Sequence, residues 1–244
     1  MPRLLILTFA LVLLLPLSAI AGPPYVTDDP EPTDTGHFEI YLFGAGTHTL
    51  DGADGAAGLD FNYGAAKDLQ LSATFPIAYE HPVGAPIIGG LGNVELAAKY
   101  RFLHQEDFGV DVVVFPRVFL PSGSHRVGDQ HAVFFLPVWL GREIGAWTTF
   151  GGGGCAINRG DGSQDYCLLG WAVTRKIADD LEIGAEIYHQ TPDAKGARTS
   201  TSLGVGARYD LNETFHIVTS IGPGIQNARE TNQWSWYSAV LFTF

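Results

Sequence analysis

Apolar and polar side chains alternate with a period of two along most of this sequence after Gly36. Apolar residues occupy the odd positions from Leu69 to Tyr79 and the even positions from Val94 to Phe102. Successive side chains of a β-strand point to opposite faces, so each run predicts a strand with one face against an apolar phase. A helix needs a period of 3.6 residues, which neither run shows. The pattern therefore predicts an all-β fold.

Such segments recur about twelve times, and each has roughly 8 to 12 residues, the length that a tilted strand needs to cross a bilayer. The segments lie near residues 36–47, 56–65, 69–79, 92–103, 109–120, 131–141, 146–154, 167–176, 181–190, 201–210, 215–222 and 234–244.

The spacers between these segments alternate in length, being long after the first segment and short after the second. Short spacers include residues 66–68, 142–145, 178–180 and 211–214, and long ones include residues 121–130 and 222–233. Outer-membrane barrels have short periplasmic turns, longer outer loops and an even number of strands. We therefore predict a closed antiparallel up-and-down transmembrane β-barrel of about 12 strands.

A soluble β-sandwich or a lipocalin-like barrel would also alternate, but with its apolar face inside. Strands of soluble folds usually have about five or six residues, which is shorter than these segments. A closed apolar core also does not require charges such as Glu95, Lys99 and Arg101 on the polar face of one segment. Both points favour a membrane barrel whose apolar side chains face lipid.

The composition bears on the partners of the chain. Only 16% of the residues are charged and 30 of the 244 are glycine, whereas ordinary soluble domains have about 25% charged residues. The net charge of -12 disfavours nucleic acid, because phosphate binding needs clustered Lys and Arg. We expect outer-membrane lipid and a small-molecule solute as partners, and no nucleic acid.

The first 21 residues predict a signal peptide. Arg3 precedes an apolar run from Leu4 to Leu17, and Ala19-Ile20-Ala21 has the small-x-small pattern of a cleavage site. We predict cleavage near Ala21 and export to the bacterial outer membrane. Residues 22–35 then form an acidic, proline-rich N-terminal segment, either a plug in the barrel or a loose periplasmic leader. Residues 36–244 form a single β-barrel domain.

Cys155 and Cys167 are separated by 11 residues that include Asn158, Gly160 and Gly162. An exported protein enters an oxidising compartment, which favours a disulfide across a loop. Two cysteines alone lack the four ligands of a usual metal site, and no histidine partner is evident for a catalytic thiol. We predict a disulfide that bridges the fourth outer loop.

The last segment places Trp234, Trp236, Val240 and Phe242 on one face and ends with Phe244. A terminal strand that ends in phenylalanine resembles the signal by which bacterial outer-membrane proteins are recognised for assembly. The resemblance implies that the barrel-assembly machinery is a partner, through Phe244.

A second resemblance begins at the predicted mature terminus. GPPYVTDDPEP, residues 22–32, and GHFEIY, residues 36–41, are similar to the start of the meta-pathway phenol-degradation (MetA-pathway) family of bacterial outer-membrane β-barrel transporters. LPSG at 120–123 and WTTFGGGG at 147–154 extend the likeness. Membership implies an outer-membrane channel for small compounds, aromatic ones included, and brings no catalytic motif.

If the apolar positions face lipid, the opposite positions line the lumen. This rule places Asp60, Asn62, Gln70, Ser72 and Thr74 inside, together with a charged solute path of Glu95, Lys99, Arg101, Asp111, Arg117, Glu182, Glu186 and Arg208. A ring of one sign would select ions, whereas both signs either bind polar groups of a solute or neutralise one another in a filled barrel. Between residues 131 and 154 both faces are apolar, so the inward face stays open.

Pro116 and Pro137 interrupt strand segments, and each removes one hydrogen-bond donor. If Leu120 pairs with His131, then Pro116 lies opposite Phe135 and Pro137 opposite Val114. The seam between the fifth and sixth strands would then lose hydrogen bonds at one height, to be replaced by a bulge, a side chain or water. This lateral seam is either an opening for apolar solutes or an ordinary bulge.

His125, Asp129 and His131 lie near Ser122 and Ser124 in the third outer loop. These are the residue types of a base, an orienting carboxylate and a nucleophile, and they are also metal ligands. No Gly-x-Ser-x-Gly sequence accompanies them. We therefore predict no enzyme activity, no cofactor and no metal.

The residues together predict a monomeric outer-membrane channel that passes or binds small molecules, hydrophobic or aromatic ones among them, down a concentration gradient. No nucleotide-binding motif indicates an energy supply. Two alternatives stay open: a closed structural barrel that presents surface loops, and a barrel hydrolase.

Overall fold

The computed structural model describes residues 24–244, so the predicted signal peptide, residues 1–21, lies outside the described residues. The strands are β1 (Phe38–His48), β2 (Gly52–Ala66), β3 (Leu69–Pro82), β4 (Ile88–Leu91), β5 (Glu95–Leu103), β6 (Asp111–Val114), β7 (Arg117–Phe119), β8 (Val133–Ile144), β9 (Trp147–Ile157), β10 (Tyr166–Ala178), β11 (Leu181–Gln190), β12 (Ser200–Asp210), β13 (Phe215–Gly222), β14 (Gly224–Gln226) and β15 (Trp234–Thr243). Two single-turn helices accompany them, α1 (Gln105–Phe108) and α2 (Ala228–Thr231).

These strands form a closed antiparallel barrel. β1 pairs with β2 on one side and with β15 on the other, which closes the sheet. Neighbours along the chain are otherwise neighbours in the sheet, as in an up-and-down barrel. Three barrel strands are each divided in two, so that β4 with β5, β6 with β7 and β13 with β14 count as one crossing each. The prediction of a closed 12-stranded barrel is confirmed.

The divided strands break where the backbone cannot continue its pairing. Pro116 separates β6 from β7 and Pro223 separates β13 from β14, and proline has no N–H to donate. Between β4 and β5 the cause is a β-bulge. Ile77 of β3 faces Leu91 and Thr74 of β3 faces Glu95, so the divided strand has one more residue than β3 between these two pairs.

The outer loops differ from the prediction at one place. The first spacer was expected to be long, but β2 begins at Gly52, and only residues 49–51 connect it to β1. His48 pairs with Ala53, and the Thr49 N–H donates to the Gly52 carbonyl in a tight turn. The first residues of β2 are mostly glycine and alanine, so the alternation of large apolar and polar side chains that predicts a strand is not visible there.

Apolar side chains face outward, as the alternation predicted. Leu71, Phe75, Leu96 and Tyr100 are 47%, 50%, 42% and 48% exposed in the isolated chain. Such a belt of apolar side chains on the outside of a barrel requires lipid around it. No helix among residues 24–244 is long and apolar enough to cross a membrane.

β8 lies in the region between residues 131 and 154 where both faces are apolar, and the structure shows which of its faces points inward. Val133, Phe135 and Trp139 are buried, whereas Phe134, Leu136, Val138 and Leu140 between them are exposed. Phe135 and Trp139 pack inside with Phe115, Tyr166 and Leu168, which we call the inner aromatic cluster. One sector of the lumen wall is therefore apolar.

Cys155 and Cys167 form the predicted disulfide. The two residues face each other in the β9–β10 register, with their Cα atoms 4.0 Å apart. The bond lies next to residues 158–165, which form the fourth outer loop of the barrel.

Candidate functional site in the barrel lumen

The N-terminal segment, of which residues 24–35 are described, runs through the interior of the barrel before β1. Thr27 and Asp28 are 1% and 0% exposed. Their partners are side chains on strands that are more than 70 residues away in sequence. An acidic stretch can be buried in this way only if the lumen wall supplies matching donors and cations.

Lys99 of β5 supplies the cation. Its Nζ lies 2.8 Å from Asp28 Oδ1 and also donates to the backbone carbonyl of Asp29 at 3.2 Å. Nζ stands 5.0 Å from the centroid of the Phe115 ring, within the range of a cation–π contact. Asp28 Oδ2 has no hydrogen-bond partner among the described residues.

Glu186 of β11 holds the preceding residues from the opposite wall. Its carboxylate accepts hydrogen bonds from the backbone N–H groups of Val26 and Thr27 and from the Thr27 hydroxyl, each at 3.0 Å. Hydrogen bonds to a charged acceptor each contribute about 1.5–3 kcal/mol. Glu186 and Lys99 thus fix adjacent residues of one segment from two sides of the lumen.

Further contacts anchor both ends of the N-terminal segment. At one end the Ser220 hydroxyl donates to the Pro24 carbonyl at 2.5 Å. At the other, the Thr33 N–H and hydroxyl donate to Gln70 Oε1 at 2.8 and 3.0 Å. The segment therefore crosses the lumen from β13 to β3.

Glycines on the inner wall make room for the segment. A Cβ added at Gly141 would lie 2.8 Å from Pro30 Cδ, and one added at Gly170 would collide with the Thr27 side chain. The N-terminal segment passes close to the backbone at these two positions, where a side chain would block it.

A second buried ion pair lies beside this crossing. Arg117 of β7 pairs with Glu95 of β5, and both side chains are almost fully buried. The Arg117 guanidinium lies 4.8 Å from the centroid of the Phe115 ring, the same ring that Lys99 contacts. Phe115 thus joins the ion pairs to the inner aromatic cluster.

Two cavities lie beside the N-terminal segment. The larger one, of about 350 Å³, is lined by Glu182 and Arg208 and reaches residues at the short-turn end of the barrel, such as Asp179. The smaller one, of about 50 Å³, is lined by Asp28, Asp60, Glu95, Lys99 and Arg117, among others. We refer to them as the vestibule and the inner cavity.

The predicted solute-path residues divide into three groups. Glu95, Lys99, Arg117 and Glu186 meet around the N-terminal segment, and Glu182 and Arg208 line the vestibule. Arg101 and Asp111 lie apart, at the short-turn end of β5 and β6.

There, Arg101 pairs with Asp68 at 3.1 Å and lies 3.8 Å from Asp111. Partial burial of Asp68 acts to raise its pKa, but hydrogen bonds from His104 and Arg101 outweigh it and hold the pKa below its usual range. These residues form a rim of the barrel, and neither Arg101 nor Asp111 lines the vestibule or the inner cavity.

The two prolines are neighbours, but their register differs by one residue from the expected one. Arg117 faces Phe135 and Val114 faces Val138, so Pro137 lies opposite Phe115 rather than Val114. Phe115 N–H donates to the Pro137 carbonyl, and Ala98 N–H donates to the Pro116 carbonyl. Pro137 thus removes a donor from the seam between the fifth and sixth barrel strands, whereas Pro116 removes one from the seam between the fourth and fifth.

One histidine of the third outer loop, His131, contacts the fourth outer loop. His131 Nε2 lies 2.6 Å from Asn158 Oδ1, and the Ser122 hydroxyl accepts a hydrogen bond from Val94 N–H. Among residues 24–244, no group of three or more His, Cys, Asp or Glu is placed to hold a metal ion. Asn158 Nδ2 donates to the Asp193 carbonyl, which joins the fourth outer loop to the fifth.

Comparison with known proteins identifies the fold. No protein-family model and no curated protein matches the chain. Among solved structures, it is similar to the COG4313 outer membrane channel from Pseudomonas putida F1, with a TM-score of 0.72 and 13% identity over 88% of this chain and 98% of that one.

Two porins are also similar. The KdgM porin has a TM-score of 0.60 and 14% identity over 84% of this chain and 99% of its own. The NanC porin has a TM-score of 0.57 and 10% identity over 83% and 98%. The chain thus has the fold of outer-membrane barrels, and a channel and porins are among its structural neighbours.

Proposed function

We propose that the protein is a passive outer-membrane channel for small molecules. The observation that carries the proposal is the vestibule: a cavity of about 350 Å³ inside a closed barrel whose outer surface is apolar. Pockets of roughly 300–1,000 Å³ are typical of small-molecule sites. The similarity to channels and porins supports the same conclusion.

The wall suggests what kind of solute would pass. Polar and charged groups surround the N-terminal segment, and the inner aromatic cluster adds an apolar sector beside them. A small molecule with an aromatic or aliphatic body and a polar group would fit both. Membership of the MetA-pathway family is part of this proposal, as are the monomeric state and recognition of Phe244 by the barrel-assembly machinery.

Conductance in planar bilayers and swelling of proteoliposomes test the channel. We expect KCl conductance and entry of small polar solutes that cross lipid slowly, such as arabinose, into liposomes that contain the protein. Liposomes with protein from which residues 24–35 have been deleted should swell faster, because the N-terminal segment occupies the lumen. A barrel that folds, conducts no ions and admits no solute in either form would instead be a closed structural barrel.

A specific observation favours one additional route for apolar solutes. Pro116 and Pro137 weaken two neighbouring seams at the same height, beside the inner aromatic cluster. We propose that the barrel wall opens toward lipid at these two seams, on either side of the fifth barrel strand. Replacing both prolines with valine restores two N–H donors and should abolish uptake of an apolar solute while KCl conductance persists. Pro86→Val in an exposed outer loop is the matched control. Unchanged uptake of the apolar solute in the double variant would refute the proposed lateral opening.

A further inference from the structure

Carboxylates dominate the vestibule. The acidic side chains among its described lining residues are Asp29, Glu31, Asp34, Glu39, Glu143, Asp179, Glu182 and Asp210. Against these eight, the basic lining residues are Lys176 and Arg208. Arg208 is already paired with Asp210 at 2.8 Å. The vestibule is therefore strongly negative, and low-dielectric walls concentrate such a field.

The inner cavity presents both signs, but its basic groups are compensated locally. Lys99 is paired with Asp28 at 2.8 Å and also lies 3.4 Å from Asp29 Oδ1, and Arg117 is paired with Glu95. One polar atom of each ion pair, Asp28 Oδ2 and Arg117 Nη1, has no partner within the described part of the chain. The buried Asp28 lines this cavity and still has a free acceptor oxygen for a cation or a donor.

The vestibule and the inner cavity share four lining residues, which are Asp29, Glu31, Glu39 and Tyr41. These residues therefore stand where one cavity meets the other, and three of the four are acidic. A solute that moves between the cavities passes Asp29, Glu31 and Glu39. Asp29 Oδ1 accepts a hydrogen bond from Glu31 N–H at 2.8 Å, which fixes two of these residues relative to each other.

We propose that Asp29, Glu31 and Glu39 form a constriction that admits small cations, protonated amines among them, and rejects anions. The inference rests on the proposed channel function and specifies its substrate class. An anion at this point meets three carboxylates, and the one lysine beside them, 3.4 Å from Asp29, already serves Asp28 as well. Repulsion between like charges inside a protein is stronger than in bulk water. Uncharged solutes of the same size meet no such barrier.

Reversal potentials across a planar bilayer test the selectivity. In a KCl gradient at about pH 8, well above the ordinary pKa of a carboxylate, we expect K⁺ to be favoured over Cl⁻ by a factor on the order of five. The triple variant Asp29→Asn, Glu31→Gln, Glu39→Gln should bring the ratio close to one. Its amide oxygens can still accept the hydrogen bonds that the carboxylates accept.

The matched control removes three charges from the same end of the barrel without touching either cavity. Glu106→Gln, Asp107→Asn and Glu213→Gln lie on short-turn connections and line neither the vestibule nor the inner cavity. We expect the selectivity of this variant to match that of the unmodified protein. If the constriction variant does not fold, Asp179→Asn with Glu182→Gln in the vestibule must lower the ratio instead.

Solutes that share one ring test the substrate class. Proteoliposomes should admit benzyltrimethylammonium faster than benzenesulfonate, two permanently charged ions that cross lipid very slowly without a channel, and the constriction variant should remove the difference between them. Conductance without charge selectivity, or selectivity that the variant leaves unchanged, would overturn the inference and leave the channel intact. A folded protein with neither conductance nor solute entry would overturn the proposed function and the inference with it.

Discussion

Replacing Lys99 with methionine should release the N-terminal segment from the lumen. Lys99 is the cation closest to Asp28, at 2.8 Å, and the Asp28 side chain is fully buried. Removing one partner of a buried ion pair costs about 3–5 kcal/mol, because the other charge stays behind without compensation. Since about 1.4 kcal/mol corresponds to a factor of ten, the ratio of docked to displaced segment should fall by two to four powers of ten.

Thiol labelling measures that ratio. Val26→Cys places a single free thiol in the docked segment, because Cys155 and Cys167 are already joined. A bulky, membrane-impermeant maleimide should label this thiol slowly in the otherwise unmodified protein and much faster when Lys99→Met is added. Lys67→Met removes a lysine from an exposed turn and should leave the labelling rate unchanged. The Glu186 contacts remain in every variant, so the barrel itself should fold.

A double replacement separates the ion pair from general damage to the lumen. With Asp28→Leu added to Lys99→Met, no unpaired charge is buried, and exchange of a buried ion pair for apolar residues is often close to neutral. We expect the labelling rate to return most of the way to that of the parent. Equal labelling in the single variant and the parent, or no recovery in the double variant, would refute the role given to this ion pair.

Three further outcomes follow from local geometry. Burial raises the pKa of Asp193 to about 6, with Asp129 acting in the same direction. The docked fifth outer loop, residues 191–199, should therefore lose protection against hydrogen exchange as pH rises from about 4 to 6, and Asp193→Asn should remove that dependence. Gly170→Ala should speed labelling at Val26→Cys by crowding Thr27, whereas Gly89→Ala, where an added Cβ meets only the Ala78 carbonyl at 3.6 Å, should not. Cys155→Ser with Cys167→Ser should lower the free energy of unfolding in urea by about 2–3 kcal/mol, because the bond closes a short loop; no change would show that strand pairing alone fixes the loop.

The barrel was predictable because lipid imposes a pattern on every strand. Leu71, Phe75, Leu96 and Tyr100 had to alternate with polar residues, and they face outward as expected. The pattern fails where a strand meets apolar surroundings on both sides, as in β8. The sequence of β8 therefore could not reveal that Phe135 and Trp139 point into the lumen, because Phe134, Leu136 and Leu140 on the opposite face are also large and apolar.

The internal partners were less accessible to sequence reasoning. The alternation alone assigned Glu95, Lys99, Arg117 and Glu186 to the inside of the barrel. It could not show which of them form ion pairs, because their heights along the barrel axis depend on the register between strands. The two prolines show how sensitive this is: because the register differs by one residue from the expected one, Pro116 weakens the seam between the fourth and fifth strands, whereas Pro137 weakens the predicted one. The contacts of Thr27 and Asp28 lay beyond any local pattern, since their partners are more than 70 residues distant.

The position of the N-terminal segment constrains the order in which this protein can be built. Residues 24–35 precede the first strand, yet Glu186, which accepts three of their hydrogen bonds, belongs to β11, and β15 completes the circle against β1. Contacts between such distant residues form slowly, because a long stretch of chain must first be brought together. The wall that binds these early residues therefore exists only when the barrel is nearly complete. The N-terminal segment must therefore either lie inside the sheet before β15 pairs with β1, or enter the closed barrel from one end afterwards.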